Sequence, residues 1–211
     1  ASARALLIVL VVNVLVAAII AFVGAVQLLK FGAGIFVADL VAIAISREMA
    51  AVITAVVMCG RTGAAFAAEL ATMQANEEVD ALSVLGLNAV DYLVLPRVLT
   101  LLFMMPLLYL FGCVGGLLGG FAVSSSLLDL APVAYFDRSV AALTYTHLGL
   151  GFFKSMAFGL LVSLAACFHG LYAPRNAAGV GSATTHAVVA GIVGVIALDA
   201  VFAVCADALG I

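Results

Sequence analysis

The chain has 211 residues, of which 67% are hydrophobic and 9% charged. An average soluble domain is roughly 25% charged, so a soluble globular fold is excluded. Eight Lys and Arg stand against 11 Asp and Glu, with no basic cluster to neutralise a nucleic-acid backbone, so nucleic acid is excluded as a partner.

Residues 5–29 carry no charge, and a helix of that length rises about 37 Å, enough to cross a hydrocarbon core of about 30 Å with some tilt. It exceeds the apolar region of a signal peptide and no small-residue cleavage site comes after it, so it is expected to stay in the mature protein. The chain begins without Met, which leaves room for a missing N-terminus. The next apolar region, roughly 38–66, is interrupted by Asp39, Arg47 and Glu48, yet no turn cluster breaks it between Leu40 and Cys59, so it counts as a charged second span. Uncharged runs at 98–128, 155–174 and 176–198 supply three more. The expected fold is an all-α integral membrane protein, a single transmembrane domain over residues 1–211 with spans at roughly 5–29, 38–66, 93–123, 148–173 and 184–207.

Five spans put the termini on opposite sides. Arg4, Arg61, Arg97 and Arg175 fall on one side and Lys30 and Arg138 on the other, which favours a cytoplasmic N-terminus and an outer, periplasmic C-terminus. In the third span Gly112, Gly116 and Gly120 recur every fourth residue, with Gly115 and Gly119 one position earlier. Such a ladder lets two helix backbones touch, either within the chain or across a homodimer seam. Pro106 in the same helix is expected to kink it. The four cysteines, Cys59, Cys113, Cys167 and Cys205, lie singly in apolar surroundings and read as buried filler. His147, His169 and His186 lack ligand partners at metal spacing, so no metal site is expected.

Between the second and third spans stands NEEVDALSVLG, residues 76–86, which reads as a short cytoplasmic helix. Asn76 suits an N-cap, Glu77, Glu78 and Asp80 put negative charge at the positive end of the helix dipole, and Gly86 suits the left-handed C-terminal position. Val79, Leu82 and Leu85 share a face and offer an apolar stripe to a partner. A helix this short needs something to pack on, and a protein partner is favoured over lipid headgroups because the acidic face is repelled by an anionic leaflet. No G-x-x-x-x-G-K-[ST] loop occurs in the chain, so ATP hydrolysis, if it drives the protein, belongs to another subunit.

The stretch SREMAAVITAVVMCGRTGAAFAAELATMQANEEVDALSVLGLNAVDYLVLPRVL, residues 46–99, and GVGSATTHAVV, residues 179–189, resemble the signature regions of the MlaE (YrbE) permeases, the membrane subunits of MCE-associated ABC transporters. The similarity runs in order over essentially the whole chain. The resemblance implies a homodimeric permease in the bacterial inner membrane. Each chain would have five spans and be joined to two ATPase subunits and an MCE-domain ring outside the membrane, with a STAS-like subunit as a further candidate partner. Lipids, with phospholipid foremost, are the implied cargo. The chain itself would be non-catalytic and hold no cofactor, with ATP and Mg on the partner. Residues 76–88 match the family's coupling helix. Where the family often carries a Gly-rich stretch before the second motif, this chain has APRNAAGVG.

Arg47, Glu48, Lys154 and Asp199 fall inside segments expected in lipid, where each costs about 2.5–3.5 kcal/mol at mid-depth. Two are positive and two negative, and adjacent residues on a helix point 100° apart, so Glu48 with Lys154 and Arg47 with Asp199 is the expected pairing. The pairs either fasten helices together or line a cavity that meets an anionic headgroup. Arg61 and Glu69, in GRTGAAFAAEL, read as interface anchors that position the coupling helix. Three rivals stand beside the permease reading. An intramembrane enzyme would use Ser155, Ser163 or His169, but no catalytic motif surrounds them. An ion-coupled secondary transporter would use the same charges, but no inverted repeat is visible. A purely structural membrane subunit is the third.

Overall fold

The computed structural model describes residues 2–128 and 131–210. Those residues form nine α-helices: α1 (Ser2–Leu29), α2 (Val37–Ala44), α3 (Ala50–Met58), α4 (Ala64–Ala75), α5 (Glu78–Val84), α6 (Leu95–Leu128), α7 (Pro132–Ala142), α8 (Tyr145–Leu171) and α9 (Ala177–Ala208). Five helical segments are long and apolar enough to cross a membrane: Ala5–Leu29, Gly34–Ala75, Val90–Leu128, Tyr145–Leu171 and Ala177–Ala208. The expected all-α membrane architecture is therefore present, with every span after the first reaching past an end expected from charge.

The second segment is longer than expected at both ends, running from Gly34 to Ala75. Two π-helical turns, Ile45–Met49 and Cys59–Gly63, are spliced between α2, α3 and α4, and a third, Val90–Val94, opens α6. A π turn takes one extra residue, shifts the register of the next helical stretch and leaves backbone groups off the regular ladder. Arg47 and Glu48 sit in the first of these turns and Arg61 in the second.

The chain divides into two compact units, one made of residues up to Thr54 with Pro106–Ser155, the other of Ala55–Met105 with Met156 onward. The boundary within α6 falls at Pro106, through which the helix runs unbroken.

In the first unit the glycine ladder of α6 is filled by the chain itself. A Cβ on Gly115 would lie 3.2 Å from Leu10, one on Gly116 2.6 Å from Ile45, and one on Gly120 2.6 Å from Val41 and from the Tyr135 hydroxyl. At Gly119 it would run into the backbone of Val14. Of the two readings of the ladder, intrachain packing is the one this face serves. The helix α7 has no counterpart among the sequence expectations. Pro132 opens it at a position where its missing N–H costs nothing, and Tyr135 and Ser139, one turn apart, bury its inner face. Tyr135 donates to the Leu117 carbonyl at 3.2 Å, and burial pushes its phenol up to about 12, so the donor keeps its proton at physiological pH. Arg138 closes a two-pronged pair with Asp39, at 2.7 and 3.3 Å, and lies over the Phe36 ring at 4.7 Å. The hydrogen bonds to Asp39 raise the guanidinium further above its ordinary range. Asp39, expected as an interruption of the span, is thus the anchor for α7.

In the second unit α9 buries a row of residues spaced every four positions, Gly179, Ala183, Ala187, Gly191 and Val195, with Ala183 against Ala71 of α4 and Gly191 against Cys59. Gly170 of α8 backs onto Ala67 and Leu70 of α4. Asn176 caps α9, accepting from the Gly179 N–H at 2.7 Å. Of the cysteines, Cys59, Cys113 and Cys167 are buried as expected, whereas Cys205 near the end of α9 is exposed.

Candidate functional site

The first unit holds a buried charge cluster on the Ile45–Met49 turn. Lys154 of α8 is fully enclosed and donates to Glu48 Oε2, while Glu48 keeps 26% of its side chain accessible. The expected Glu48–Lys154 pair is therefore made. Arg47 Nε lies 3.7 Å from Glu48 Oε1, so the Glu48 carboxylate faces Arg47 as well as Lys154. Asp199 lies half-buried on α9 in the second unit.

What holds this turn is a residue that sequence reasoning did not single out. Tyr109 of α6 is wholly buried, and its hydroxyl donates to the Ser46 carbonyl at 2.6 Å. Gly151 on α8 leaves room for that contact, because a Cβ there would overlap both the Ser46 oxygen and the Tyr109 hydroxyl. Ser46 turns its own hydroxyl back to the Ala42 carbonyl at 2.6 Å. A buried hydroxyl donating to a buried carbonyl gives a polar group a partner where lipid supplies none. Next to this cluster, an apolar cavity of about 230 Å³ is lined by residues that include Ile45, Cys113, Leu117 and Leu148.

The second unit carries the short helix between the second and third spans. Its bounds are narrower than the expected 76–88, and Asn76 is not its N-cap: it closes α4, and its side chain reaches Glu78 Oε1 at 3.2 Å. Glu77 takes the cap position in a left-handed conformation, φ 59°. Gly86 has φ 77°, as its expected left-handed role requires. The apolar stripe is split. Val79 and Leu82 pack against Leu70, Leu93 and Cys167 of their own unit, whereas Val84 is 87% and Leu85 74% exposed. A helix of two turns has too little surface to face both ways, and anchoring to its own scaffold takes the inner pair. Leu85 instead rims a groove of about 220 Å³ with Glu78, Ala81, Tyr92 and Met73.

Two ion pairs brace this end. Glu69 pairs with Arg97 at 3.3 Å; Arg97 also donates to the Leu93 carbonyl at 2.7 Å and lies 5.7 Å from the centre of the Phe66 ring. Glu69 thereby ties α4 to the start of α6, and Arg61 sits in the π turn before α4. Asp80 receives Arg175 in a two-pronged pair at 2.7 and 3.1 Å. Arg97 and Arg175 carried no role beyond topology in the sequence. Opposite charges flanking one short helix were the signal that could have found them.

The family profile described as Permease MlaE matches residues 1–205. A probable ABC transporter permease protein of Rickettsia conorii is 38% identical over 160 residues, 76% of this chain and 62% of that protein. One from Synechocystis is 37% identical over 172 residues, 80% and 64% of the two chains. The Arabidopsis thaliana chloroplast protein named TRIGALACTOSYLDIACYLGLYCEROL 1 is 36% identical over 170 residues, 81% of this chain and 49% of that one. The chain thus spans just under two thirds of the length of the bacterial relatives it matches. Matched over residues 1–205 and built from five membrane-length helices, the chain belongs to the MlaE permease family.

Proposed function

We propose that this chain is the membrane permease subunit of an ATP-driven lipid transporter, with phospholipid as cargo. Two copies would form a lipid cavity in the bacterial inner membrane, between a cytoplasmic ATPase and a periplasmic MCE-type lipid-binding partner. The observation that carries the reading is α5, a short acidic helix joining two spans, with Val84 and Leu85 left uncovered at its tip. Exposed large apolar side chains beside a groove that Glu78 also lines suit a protein partner with a basic rim. Names of relatives add weight: several are called ABC transporter permeases, and the chloroplast one is named for a lipid. ATP and Mg belong to the partner chain, and this subunit is non-catalytic.

In this reading the end bearing α5, Arg61, Arg97 and Arg175 is cytoplasmic, by the excess of positive charge there, and the C-terminus is periplasmic. Arg47, Glu48, Lys154 and Asp199 serve the cavity, where a cation meets an anionic headgroup and apolar walls take the acyl chains. A STAS-like subunit is a further partner in keeping with the family.

Capture of the ATPase subunit in detergent tests the proposal, comparing wild type with Glu78→Lys plus Leu85→Asp. Capture by wild type, with loss of both capture and stimulated ATP hydrolysis in the variant, supports it. Failure of the wild type to bind any ATPase subunit overturns it.

A further inference from the structure

We propose that the Asp80–Arg175 pair is the link through which a displacement of α5 moves α9, making Arg175 a coupling residue; this rests on the reading of α5 as the ATPase-docking element. Asp80 lies in the first turn of α5, and Arg175 directly precedes Asn176, the N-cap of α9. The two-pronged contact, at 2.7 and 3.1 Å, fixes the direction of the guanidinium as well as its distance. Both side chains are about half exposed, so the pair adds little to stability. Its geometry is what matters.

Around Arg175 the connection to α9 is stiff. The Asn176 N–H donates to the Pro174 carbonyl at 2.8 Å, the Gly179 N–H donates to Asn176 Oδ1 at 2.7 Å, and Gly179 sits so close to Pro174 that no Cβ fits. A pull on Arg175 therefore acts on the first turn of α9 instead of being absorbed by a slack loop.

The contact of α9 with α4, by contrast, is smooth. Ala71 of α4 meets Ala173, Ala183 and Val180, and further along α9 the small Gly191 lies against Cys59. Small apolar side chains resist a small axial slide less than interlocked large ones, the geometry of shear motion between packed helices. The other brace at this end, Glu69–Arg97, joins α4 to α6 and leaves α9 alone. Thus α5 is tied by charge to a helix that rests on a low-relief track.

The test uses the full-length protein with its ATPase subunit in proteoliposomes, NBD-labelled phosphatidylethanolamine as probe, and the ratio of lipid moved to ATP hydrolysed as readout. Arg175→Ala and Arg175→Asp should keep ATPase capture and hydrolysis while the ratio falls on the order of fivefold, the lower end of typical coupling energies. Asp80→Arg combined with Arg175→Asp, measured on complexes that retain the ATPase, should recover most of the ratio. A purely structural pair would lower stability and leave the ratio unchanged. A wild-type ratio in Arg175→Asp, or a double variant no better than Arg175→Asp, overturns the proposal. Absence of ATPase capture by the wild type would instead overturn the docking reading on which it rests.

Discussion

Lys154 and Glu48 form an ion pair in unequal surroundings: the ammonium is fully enclosed, while the carboxylate keeps a quarter of its surface accessible. The carboxylate faces two cations, because the Arg47 guanidinium lies 3.7 Å from its other oxygen. Removing one member of a buried ion pair costs up to about 3–5 kcal/mol. Glu48→Gln and Lys154→Met are each expected to lower the melting temperature in detergent. Reversal of either charge should impair lipid transport, and the double reversal should partly restore it. Wild-type transport in both single reversals would rule out a role for the pair.

Tyr109 and Gly151 make a second prediction, on the backbone of the same turn. Tyr109→Phe keeps the ring but deprives the Ser46 carbonyl of its donor, and an unsatisfied buried polar group costs about 1–3 kcal/mol. Gly151→Ala pushes a methyl into both members of that hydrogen bond and should cost a similar amount through overpacking, about 1–3 kcal/mol. Because both act on one contact, the double variant should be less destabilised than the sum of the singles. Thermal melts of the four proteins decide it; strict additivity would mean the two residues act separately.

Much of this arrangement was legible from residue order, for reasons that also mark where legibility ended. Uncharged runs locate spans because a charge in lipid is costly, and that rule found four of the five helical segments, the second being recognised because no turn cluster breaks it. Its charges Asp39 and Glu48 are met by Arg138 and Lys154, both distant in sequence. The Glu48–Lys154 pair was within reach of charge counting alone. The Tyr109–Ser46 bond was not, since nothing in a period-3.6 pattern announces a π turn or the distant hydroxyl that meets it. The helix α7 escaped for a related reason: its inner face is a tyrosine and a serine, and its hold on the scaffold is an ion pair with α2.

The glycines supply a paired prediction. Gly119→Ala drives a methyl into the Val14 backbone and should loosen α1 from α6, while Gly149→Ala, on α8 with open space around its Cβ, should be neutral or stabilising by up to about 1 kcal/mol. Proteolytic susceptibility near α1 and the melting temperature should both change in the first variant and neither in the second. Equal behaviour would mean that α6 tolerates bulk on the face it turns to α1.

The last prediction separates the two sides of α5. Leu82 packs with Leu93 and Cys167, whereas Leu85 is 74% exposed beside Glu78 and Tyr92. Leu82→Asp puts an unpaired carboxylate against an apolar cluster and is expected to destabilise the protein itself, so any loss of ATPase capture would result from loss of fold. Leu85→Asp changes a side chain already in solvent and should leave the stability within about 0.5 kcal/mol of wild type. If α5 docks through its exposed tip, that variant should nonetheless abolish capture, because it removes an apolar anchor and adds a charge to be desolvated. Melting and capture measured on the same preparations make the distinction. Unchanged capture by Leu85→Asp would move the docking surface away from the tip of α5.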